Sequence, residues 1–381
     1  MDLADVRSRI DAIDAQLIEL FCERMACAAD VAAAKAGTGK AVFDPARERD
    51  KLLNVASRVP EDLQPQAIAL FSLLMSMNKA TQQHILNGRS GAGAADRTRA
   101  SWMPLATSFP ATATVACQGV EGAYSQIAAC RLFDVPAIMY CGTFEGVFRA
   151  VRDGSCAFGV LPIENSTAGS VNAVYDLLAR YRFSIVRSLR LKIDHDLLAK
   201  PGTALADVRE VFSHEQAIAQ CRGYLDRLGV KATVCENTAK AAELVASSER
   251  TDIAALSSQG CSSLYGLDVL GRGVQDSDNN YTRFVVISAR PAIYPGATRS
   301  SIVLTLTSQP GALYRVLERF YALNINLVKL ESRPIPGRDF EFMFYFDLDC
   351  PATSGAFATL LDSLDDVCSE FAYLGSYTEV L

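Results

Sequence analysis

The segment FGVLPIENSTAGSVNAVYDLLARY, residues 158–181, decides the fold class of the central part of the chain. It begins with a short apolar run, continues through a polar loop and ends in apolar residues at helical spacing. The same order of strand and helix recurs between residues 112 and 290. This alternation predicts an α/β unit in which crossover helices join parallel strands.

The sequence on either side of this unit follows different patterns. Apolar residues at helical spacing predict an all-α unit over residues 1–86, with a shorter helix that begins near Pro45. Residues 87–111 are rich in Gly, Ala, Ser and Arg, which is typical of a linker. Residues 299–381 predict the order βαββαβ, the ferredoxin-like arrangement.

Composition and charge disfavour several classes of protein. A net charge of −6 without a basic block argues against nucleic acid as the main partner. The longest apolar stretch has 11 residues (67–77), whereas a membrane span needs about 20. Eleven cysteines without a CxxC pair, and no signal peptide, indicate reduced thiols and a cytoplasmic location. His84, His195 and His214 lie far apart, so we expect no metal site, and we expect no cofactor.

Polar side chains interrupt the apolar stripes of the helical unit. In FCERMACAADVAAAK (21–35), Arg24 and Lys35 continue the apolar stripe of the first helix at 100° per residue. Asn78 and Gln82 fall inside the stripe of the last helix. Four polar groups are therefore expected to point towards one interior.

Two interpretations of these cations remain open at this point. A buried cation needs a counter-charge, and Glu48 or Asp44 supplies one by internal pairing. The other interpretation is a pocket for a small dicarboxylate, in which Arg47 adds a second clamp and Glu48 accepts from a hydroxyl.

These residues resemble the all-helical chorismate mutase domain, a family of intertwined helical dimers. The resemblance implies a chorismate site composed of Arg7, Arg24, Lys35, Asp44, Arg47, Glu48, Asn78 and Gln82. The rearrangement of chorismate to prephenate is pericyclic and needs no base. It is accelerated by holding a compact conformer and by stabilising charge on the breaking C–O bond.

The resemblance also implies a role for most of these residues. Arg24 and Arg47 hold the two carboxylates, and Arg7 comes from the partner subunit. Lys35 and Gln82 donate to the ether oxygen as the catalytic pair, while Glu48 holds the ring hydroxyl.

Polar residues also stand where the predicted central strands begin or end. The apolar run of the opening segment ends at residues 164–167, and NNYTRFVVIS (279–288) places polar residues before a strand. Strand ends and helix N-termini are where α/β folds bind anions. Thr282 by itself is better explained as a β-branched strand residue.

Together GVEGAYS, PIENS, SHEQAIAQC and NNYTRF resemble the prephenate dehydratase family. The resemblance implies a two-lobed, periplasmic-binding-protein-like domain with a cleft between its lobes. The implied cleft residues are Glu164, Asn165, Ser166, Thr167, Asn280, Thr282, Arg283 and Phe284. Thr282 helps the ring hydroxyl to leave, Arg283 binds a carboxylate or orders the cleft, and Phe284 packs by the ring.

SQPGALYRVL (308–317) and KLESRPIPG (329–337) resemble the ACT domain that is appended to prephenate dehydratases. The resemblance implies that phenylalanine binds there as a feedback inhibitor. The implied contacts are Gly311, Ala312, Leu313, Glu331, Ser332, Arg333 and Pro334.

We therefore expect a bifunctional enzyme of phenylalanine biosynthesis that acts as a homodimer or a homotetramer. Two alternatives stay open: a non-enzymatic amino-acid sensor, and an enzyme that has lost one of its two activities.

Overall fold

The computed structural model describes residues 2–36, 45–89, 105–306, 309, 311–335, 337–338, 341–364 and 367–380. Asp44 and most of the predicted linker lie outside the described residues. The chain divides into two compact units. The first contains Met1–Ser101 and Ala358–Cys368, and the second contains Trp102–Phe357 and Ser369–Leu381.

The N-terminal region is helical, as predicted. It consists of α1 (Leu3–Ala36), α2 (Pro45–Ala56), a 3-10 turn (Glu61–Leu63) and α3 (Gln64–Arg89). Helices α1 and α2 both contact α3. Pro45 is the first residue of α2, where its missing N–H costs no helical hydrogen bond. Helix α3 continues beyond residue 86, so the first residues of the predicted linker are helical.

The apolar stripe of α1 is exposed in the single chain. Ile10, Ile13, Leu17 and Leu20 are 48% to 61% exposed, whereas the small residue Ala28 is fully buried. A contiguous apolar surface of this kind marks an interaction site on a soluble protein. The stripe that we expected to pack within the helical unit therefore faces outward over its N-terminal half.

The second unit contains two sheets, which confirms the predicted α/β class. The larger sheet contains β1 (Thr112–Gln118), β2 (Val135–Cys141), β3 (Phe158–Asn165), β4 (Gly169–Ser170), β5 (Ser184–Lys192) and β11 (Tyr281–Ser288). The smaller sheet contains β6 (Asp196–Ala199), β7 (Glu210–Ser213), β8 (Lys231–Val234), β9 (Ile253–Ser257) and β10 (Asp268–Gly271), in the order β10-β6-β9-β7-β8. The accompanying helices are α4 (Tyr124–Leu132), α5 (Phe144–Arg152), α6 (Asn172–Tyr181), α7 (Glu215–Gln220), α8 (Arg222–Leu228), α9 (Thr238–Ser247) and α10 (Gln259–Tyr265).

The predicted parallel strands are present in both sheets, including β7 beside β8 and β9, but each sheet also contains antiparallel pairs that were not predicted. Strand β1 runs parallel to β2 and β3, but β11 runs antiparallel to both β3 and β5. The physical reason is that the chain returns to the larger sheet from the smaller one and enters next to β3 from the opposite direction. In the smaller sheet, β6 is antiparallel to β9 and β10.

Strand β11 lies in the middle of the core, and its apolar run has a direct cause. Val285 and Ile287 belong to the cluster on one face of the sheet, and Phe284 and Val286 belong to the cluster on the other face. A strand covered on both faces has a continuous apolar run instead of an alternating pattern. The polar residues that precede this run therefore lie where the buried part of the strand begins.

The C-terminal elements follow the predicted order βαββαβ. They are β12 (Arg299–Leu306), α11 (Ala312–Ala322), β13 (Asn326–Pro334), β14 (Phe342–Asp349), α12 (Gly355–Leu364) and β15 (Cys368–Val380). Their strands extend the larger sheet in the order β13-β14-β12-β15-β5, and the end of β15 pairs in parallel with β5. Among the described helices, none combines the length and apolar character that a membrane span requires.

Candidate active sites

A cavity of about 560 Å³ opens among the three N-terminal helices. Six of the eight residues predicted for the chorismate site line it: Arg24, Lys35, Arg47, Glu48, Asn78 and Gln82. Arg7 is not among its lining residues, and Asp44 lies outside the described part of the chain. The residues that interrupt the apolar stripes thus share one cavity, as their helical phase predicted.

The polar side chains of this cavity have a defined hydrogen-bond direction. Arg24 Nη1 donates to the Leu74 carbonyl at 2.8 Å, and Asn78 Nδ2 donates to the Arg24 carbonyl at 3.2 Å. Because a carbonyl only accepts, Asn78 turns its Oδ1 towards Gln82, whose Nε2 donates to it at 2.5 Å. The second hydrogen of Gln82 Nε2 is left for another acceptor.

Gln82 is almost fully buried, at 5% exposure. Its Oε1 is buried without a hydrogen-bond partner in the described structure. A buried amide oxygen that makes no hydrogen bond costs free energy, so this position favours a bound polar partner.

The cavity is also lined by charged residues that were not predicted for the chorismate site. Its lining holds five cations and two carboxylates: Arg24, Lys35, Arg47, Lys51 and Lys79 against Glu48 and Asp50. Glu48 pairs with Lys79, Nζ to Oε1 at 2.7 Å. The lining thus keeps an excess of positive charge, which attracts a dianion.

In the second unit, Thr282 on β11 lies opposite Asn165 on β3. Asn165 Oδ1 accepts from the backbone N–H groups of Thr167 and Ala168 at 3.0 and 2.9 Å. Because a backbone N–H only donates, Asn165 turns its Nδ2 towards Thr282 Oγ1 and Asn280 Oδ1, both at 2.9 Å. The Thr282 oxygen therefore accepts from Asn165, and its own hydrogen remains available to a ligand.

The same polar chain continues into the interior. Asn280 Nδ2 donates to the Ile193 carbonyl at 3.3 Å and to Gln220 Oε1 at 3.0 Å. Gln220 Oε1 also lies 2.9 Å from His195 Nε2. Since this oxygen only accepts, His195 carries its hydrogen on Nε2, and Nδ1 faces the Tyr124 hydroxyl at 3.4 Å.

His195 is 2% exposed, and its surroundings favour the neutral ring. Burial lowers the pKa of His195, while its hydrogen bond to Gln220 and the charges of Asp194 and Asp196 oppose that shift. Sequence reasoning missed both His195 and Gln220 as site residues. Gln220 lies within the quoted SHEQAIAQC motif, but no local pattern distinguishes a buried histidine that orders a neighbour.

Other predicted cleft residues take up different positions. Ser166 donates to the Asn279 carbonyl at 2.8 Å and accepts from the Tyr281 N–H at 2.9 Å. Phe284 is 2% exposed within a core cluster, and its contact with the substrate ring stays a prediction. Arg283 forms a buried ion pair with Asp347 of β14, and it lines a cavity of about 280 Å³ together with Glu164 and Ser166. Its predicted role in binding a carboxylate or ordering the cleft stays a prediction. Because side chains alternate along a strand, Arg283 lies on the face of β11 opposite to Thr282.

Strand β13 presents a row of charged side chains, Lys329, Glu331 and Arg333, to the end of β3 and the segment after it. Lys329 Nζ lies 2.7 Å from Glu164 Oε1 and 2.8 Å from Ser170 Oγ. Ser170 Oγ also donates to the Glu331 carboxylate. The row therefore touches the segment that carries Asn165.

Arg333, the last residue of this β13 row, forms a bidentate contact with a carboxylate. Its Nε and Nη2 donate to the two carboxylate oxygens of Asp176 at 3.0 and 2.8 Å. Two of the predicted phenylalanine contacts, Glu331 and Arg333, are thus bonded to residues of the α/β region. Of the other predicted contacts, Ser332 and Pro334 are exposed, and Gly311 caps α11 with a φ of +78°.

Comparisons with known proteins match both regions. The family model described as chorismate mutase type II matches residues 6–83, and the model described as prephenate dehydratase matches residues 115–292. The bifunctional chorismate mutase/prephenate dehydratase of Escherichia coli (strain K12) is 34% identical over 385 residues. That match covers 98% of this chain and 96% of that protein.

Two solved structures each resemble about 70% of this chain. The prephenate dehydratase of Arthrobacter aurescens in complex with L-Phe is 29% identical, with a TM-score of 0.64, and covers 70% of this chain and 89% of its own. GqqA, described as a novel type of quorum-quenching acylase, is 34% identical with a TM-score of 0.64. It covers 69% of this chain and 96% of its own.

Proposed function

The chain belongs to the family of bifunctional chorismate mutase/prephenate dehydratases, and we propose that its helical cavity forms prephenate, which the Thr282 site converts to phenylpyruvate. The observation that carries this proposal is the convergence of polar residues, distant in sequence, at each site. Six predicted residues line the helical cavity, and Asn165, Asn280 and Thr282 share hydrogen bonds. Because the chain matches both enzyme families, an enzyme is favoured over a non-enzymatic sensor.

The mutase step requires binding and charge stabilisation, and the cavity offers both. Arg24 and Arg47 are suited to the two carboxylates because a guanidinium pairs with a carboxylate through two hydrogen bonds. Lys35 and the second Nε2 hydrogen of Gln82 donate to the ether oxygen, where negative charge develops as the C–O bond breaks. Glu48 accepts from the ring hydroxyl.

A second copy of the chain completes this site in our proposal. Arg7 is absent from the lining of the cavity within one chain, and the exposed stripe on the same helix, α1, needs cover. Pairing of two such stripes buries that apolar surface and brings Arg7 of one protomer to the site of the other. A homodimer is the minimum assembly that this arrangement needs.

The dehydratase step removes carbon dioxide and the ring hydroxyl of prephenate as the ring becomes aromatic. The Thr282 hydroxyl is oriented to donate a hydrogen bond to the departing hydroxide, because Asn165 occupies one of its acceptor positions. Gln220 and His195 act as positioning residues, since they hold Asn280 and, through it, Asn165. Arg283 supports β11 from its other face.

We assign the dehydratase domain to residues 112–290 and an ACT regulatory domain to residues 299–381. Phenylalanine bound near Gly311 and Glu331 would act on the dehydratase through the β13 row. Lys329 pairs with Glu164, and the Glu331 carboxylate accepts from Ser170, so both contact the segment that carries Asn165. Arg333 contacts Asp176 of α6. A shift of β13 would therefore change the surroundings of Thr282. The complex of the Arthrobacter aurescens enzyme with L-Phe supports this proposal.

Product assays on the full chain test both activities. Wild type is expected to consume chorismate and to release phenylpyruvate. Lys35→Ala is expected to abolish chorismate consumption and to spare the conversion of added prephenate, and Thr282→Ala is expected to do the reverse. In each variant, the activity that is kept shows that the unit without the substitution is folded.

Two results would contradict the proposal. Persistence of chorismate with wild type would refute the mutase assignment, and accumulation of prephenate would refute the dehydratase assignment. Direct detection of phenylpyruvate is required because GqqA shows that a similar fold occurs in a protein described as an acylase.

A further inference from the structure

Lys79 and Glu48 form an ion pair between α3 and α2 in the wall of the helical cavity. Lys79 Nζ on α3 lies 2.7 Å from Glu48 Oε1 on α2, and the side chains are 16% and 26% exposed. Both residues line the cavity. The pair is partly shielded from water, so it is less weakened by solvent than an ion pair on the open surface.

The position of Lys79 on α3 places it beside the other polar groups of the site. It follows Asn78 directly and precedes Gln82 by three residues, which puts Lys79 and Gln82 on neighbouring positions of one helix face. All three line the same cavity. Lys79 is therefore part of the wall of this cavity.

The negative charge of Glu48 needs a neighbouring cation if the cavity is to bind a dianion. A substrate with two carboxylates is repelled by a carboxylate in the wall, yet Glu48 is the group expected to accept from the ring hydroxyl. An ammonium paired with Glu48 offsets this repulsion and restrains the carboxylate in one orientation. The proposed contacts of Lys35 and the arginines are with the ether oxygen and the substrate carboxylates.

We propose that Lys79 is a positioning residue for Glu48, which it holds ready to accept from the hydroxyl of a dianionic cyclic substrate. The inference rests on the proposed mutase function and adds a specific residue to it. Lys79 acts through Glu48 and does not itself touch the substrate.

A double-mutant cycle in the full chain tests this dependence. Lys79→Met is expected to lower kcat/KM for chorismate about 10- to 100-fold, as displacement of a substrate contact does. Lys79→Arg keeps the cation and is expected to stay within about threefold of wild type. Glu48→Gln lowers kcat/KM by itself, and the double variant Glu48→Gln, Lys79→Met is expected to be no worse than Glu48→Gln.

Three outcomes would overturn the inference. Losses that multiply in the double variant would show that Lys79 acts independently of Glu48. Wild-type kcat/KM in Lys79→Met would show that Lys79 has no role in an active mutase. A wild-type chain that does not consume chorismate would refute the proposed mutase function itself, and the inference with it.

The same preparations provide a control for the second unit. Conversion of added prephenate depends on the second unit and is expected to be equal in wild type and in all four variants. A variant that lost both activities would be replaced by Lys79→Gln, which is polar and shorter, and the cycle would be repeated with it.

Discussion

Arg283 on β11 and Asp347 on β14 form an ion pair with side chains only 6% and 8% exposed. Ser301 on β12 also donates to the Asp347 carboxylate at 2.5 Å. Arg283 is the immediate neighbour of Thr282, whose side chain faces the other way. The strand that carries Thr282 is thus anchored directly to the C-terminal strands.

Asp347→Ala is expected to destabilise the second unit strongly. It leaves the Arg283 guanidinium buried without its counter-charge, and breaking a buried pair in this way costs about 3–5 kcal/mol. The midpoint of urea unfolding, followed by a probe in the second unit, measures the change. Asp153→Ala removes the exposed pair with Arg152 and is expected to leave the midpoint unchanged. Equal midpoints in the two variants would contradict the prediction.

Asp176→Asn is expected to weaken inhibition by phenylalanine without abolishing its binding. The change removes the charge that holds Arg333 of the β13 row to α6. Phenylalanine can inhibit only through contacts that differ between the active and the inhibited state of the protein. If the Arg333–Asp176 contact is one of these, its loss lowers the coupling free energy between phenylalanine and substrate. A rise of about 5- to 20-fold in the phenylalanine concentration for half inhibition is expected.

Binding of phenylalanine by calorimetry separates this effect from damage to the effector site. The dissociation constant is expected to stay within about threefold of wild type. Asp226→Asn on α8, which removes an exposed contact with Arg222, is the matched control. Unchanged inhibition in Asp176→Asn would show that the β13 row does not carry the regulatory effect.

Asn165→Asp is expected to lower dehydratase kcat about 100-fold or more, although the side chain keeps its shape. A carboxylate only accepts, so the Thr282 hydroxyl would turn its hydrogen towards residue 165 and away from the substrate. Release of phenylpyruvate from added prephenate measures the effect, and chorismate consumption serves as the control. Near-normal turnover would contradict the hydrogen-bond direction derived for this site.

His195 is expected to make the dehydratase sensitive to acid. Burial lowers the pKa of His195 below its usual value of about 6.5, so the folded protein binds fewer protons than the unfolded chain in acid. His195 therefore does not change the free energy of unfolding above about pH 6.5. As the pH falls from there towards the lowered pKa, the unfolded chain takes up the proton first, and the folded protein loses stability. The groups that face the ring are Tyr124 and Gln220, with Asp194 and Asp196 nearby.

His195→Gln and His195→Leu distinguish a positioning role from a packing role. The glutamine amide keeps an N–H donor for Gln220 but does not titrate, so near-normal activity with a flatter acid limb in kcat/KM is expected. The leucine variant removes the donor and is expected to lose about 10- to 100-fold in dehydratase activity, with normal chorismate consumption. Equal pH profiles in wild type and His195→Gln would rule out titration of His195.

The helical site was largely predictable because helical phase is a local property. Arg24 and Lys35 continue an apolar stripe at 100° per residue, and Asn78 and Gln82 do the same on α3, so each helix specifies which side chains share a face. The cavity combines those faces. The ion pair of Lys79 with Glu48 was missed because it depends on the approach of α2 to α3.

The dehydratase site was predictable only in part, and strand alternation explains the division. Asn165 and Thr282 lie at ends of apolar runs that the sequence displays, and they are hydrogen-bonded in the structure. Arg283 stands next to Thr282 in the motif but faces the C-terminal strands, and its partner is Asp347, 64 residues away. No local pattern shows which distant strand covers a given face.

By itself, the sequence determined the class of each region, the residues that share a helix face and the ends of strands where polar groups stand. These properties depend on periodicity and on chain neighbours, which short-range sterics and hydrophobic burial control. The tertiary structure alone decided the antiparallel entry of β11, the partners of Arg283 and His195, and the contact of the β13 row with the Asn165 segment. Those depend on contacts between residues far apart in the chain, where many pairings satisfy the same local pattern and only the packed whole selects one.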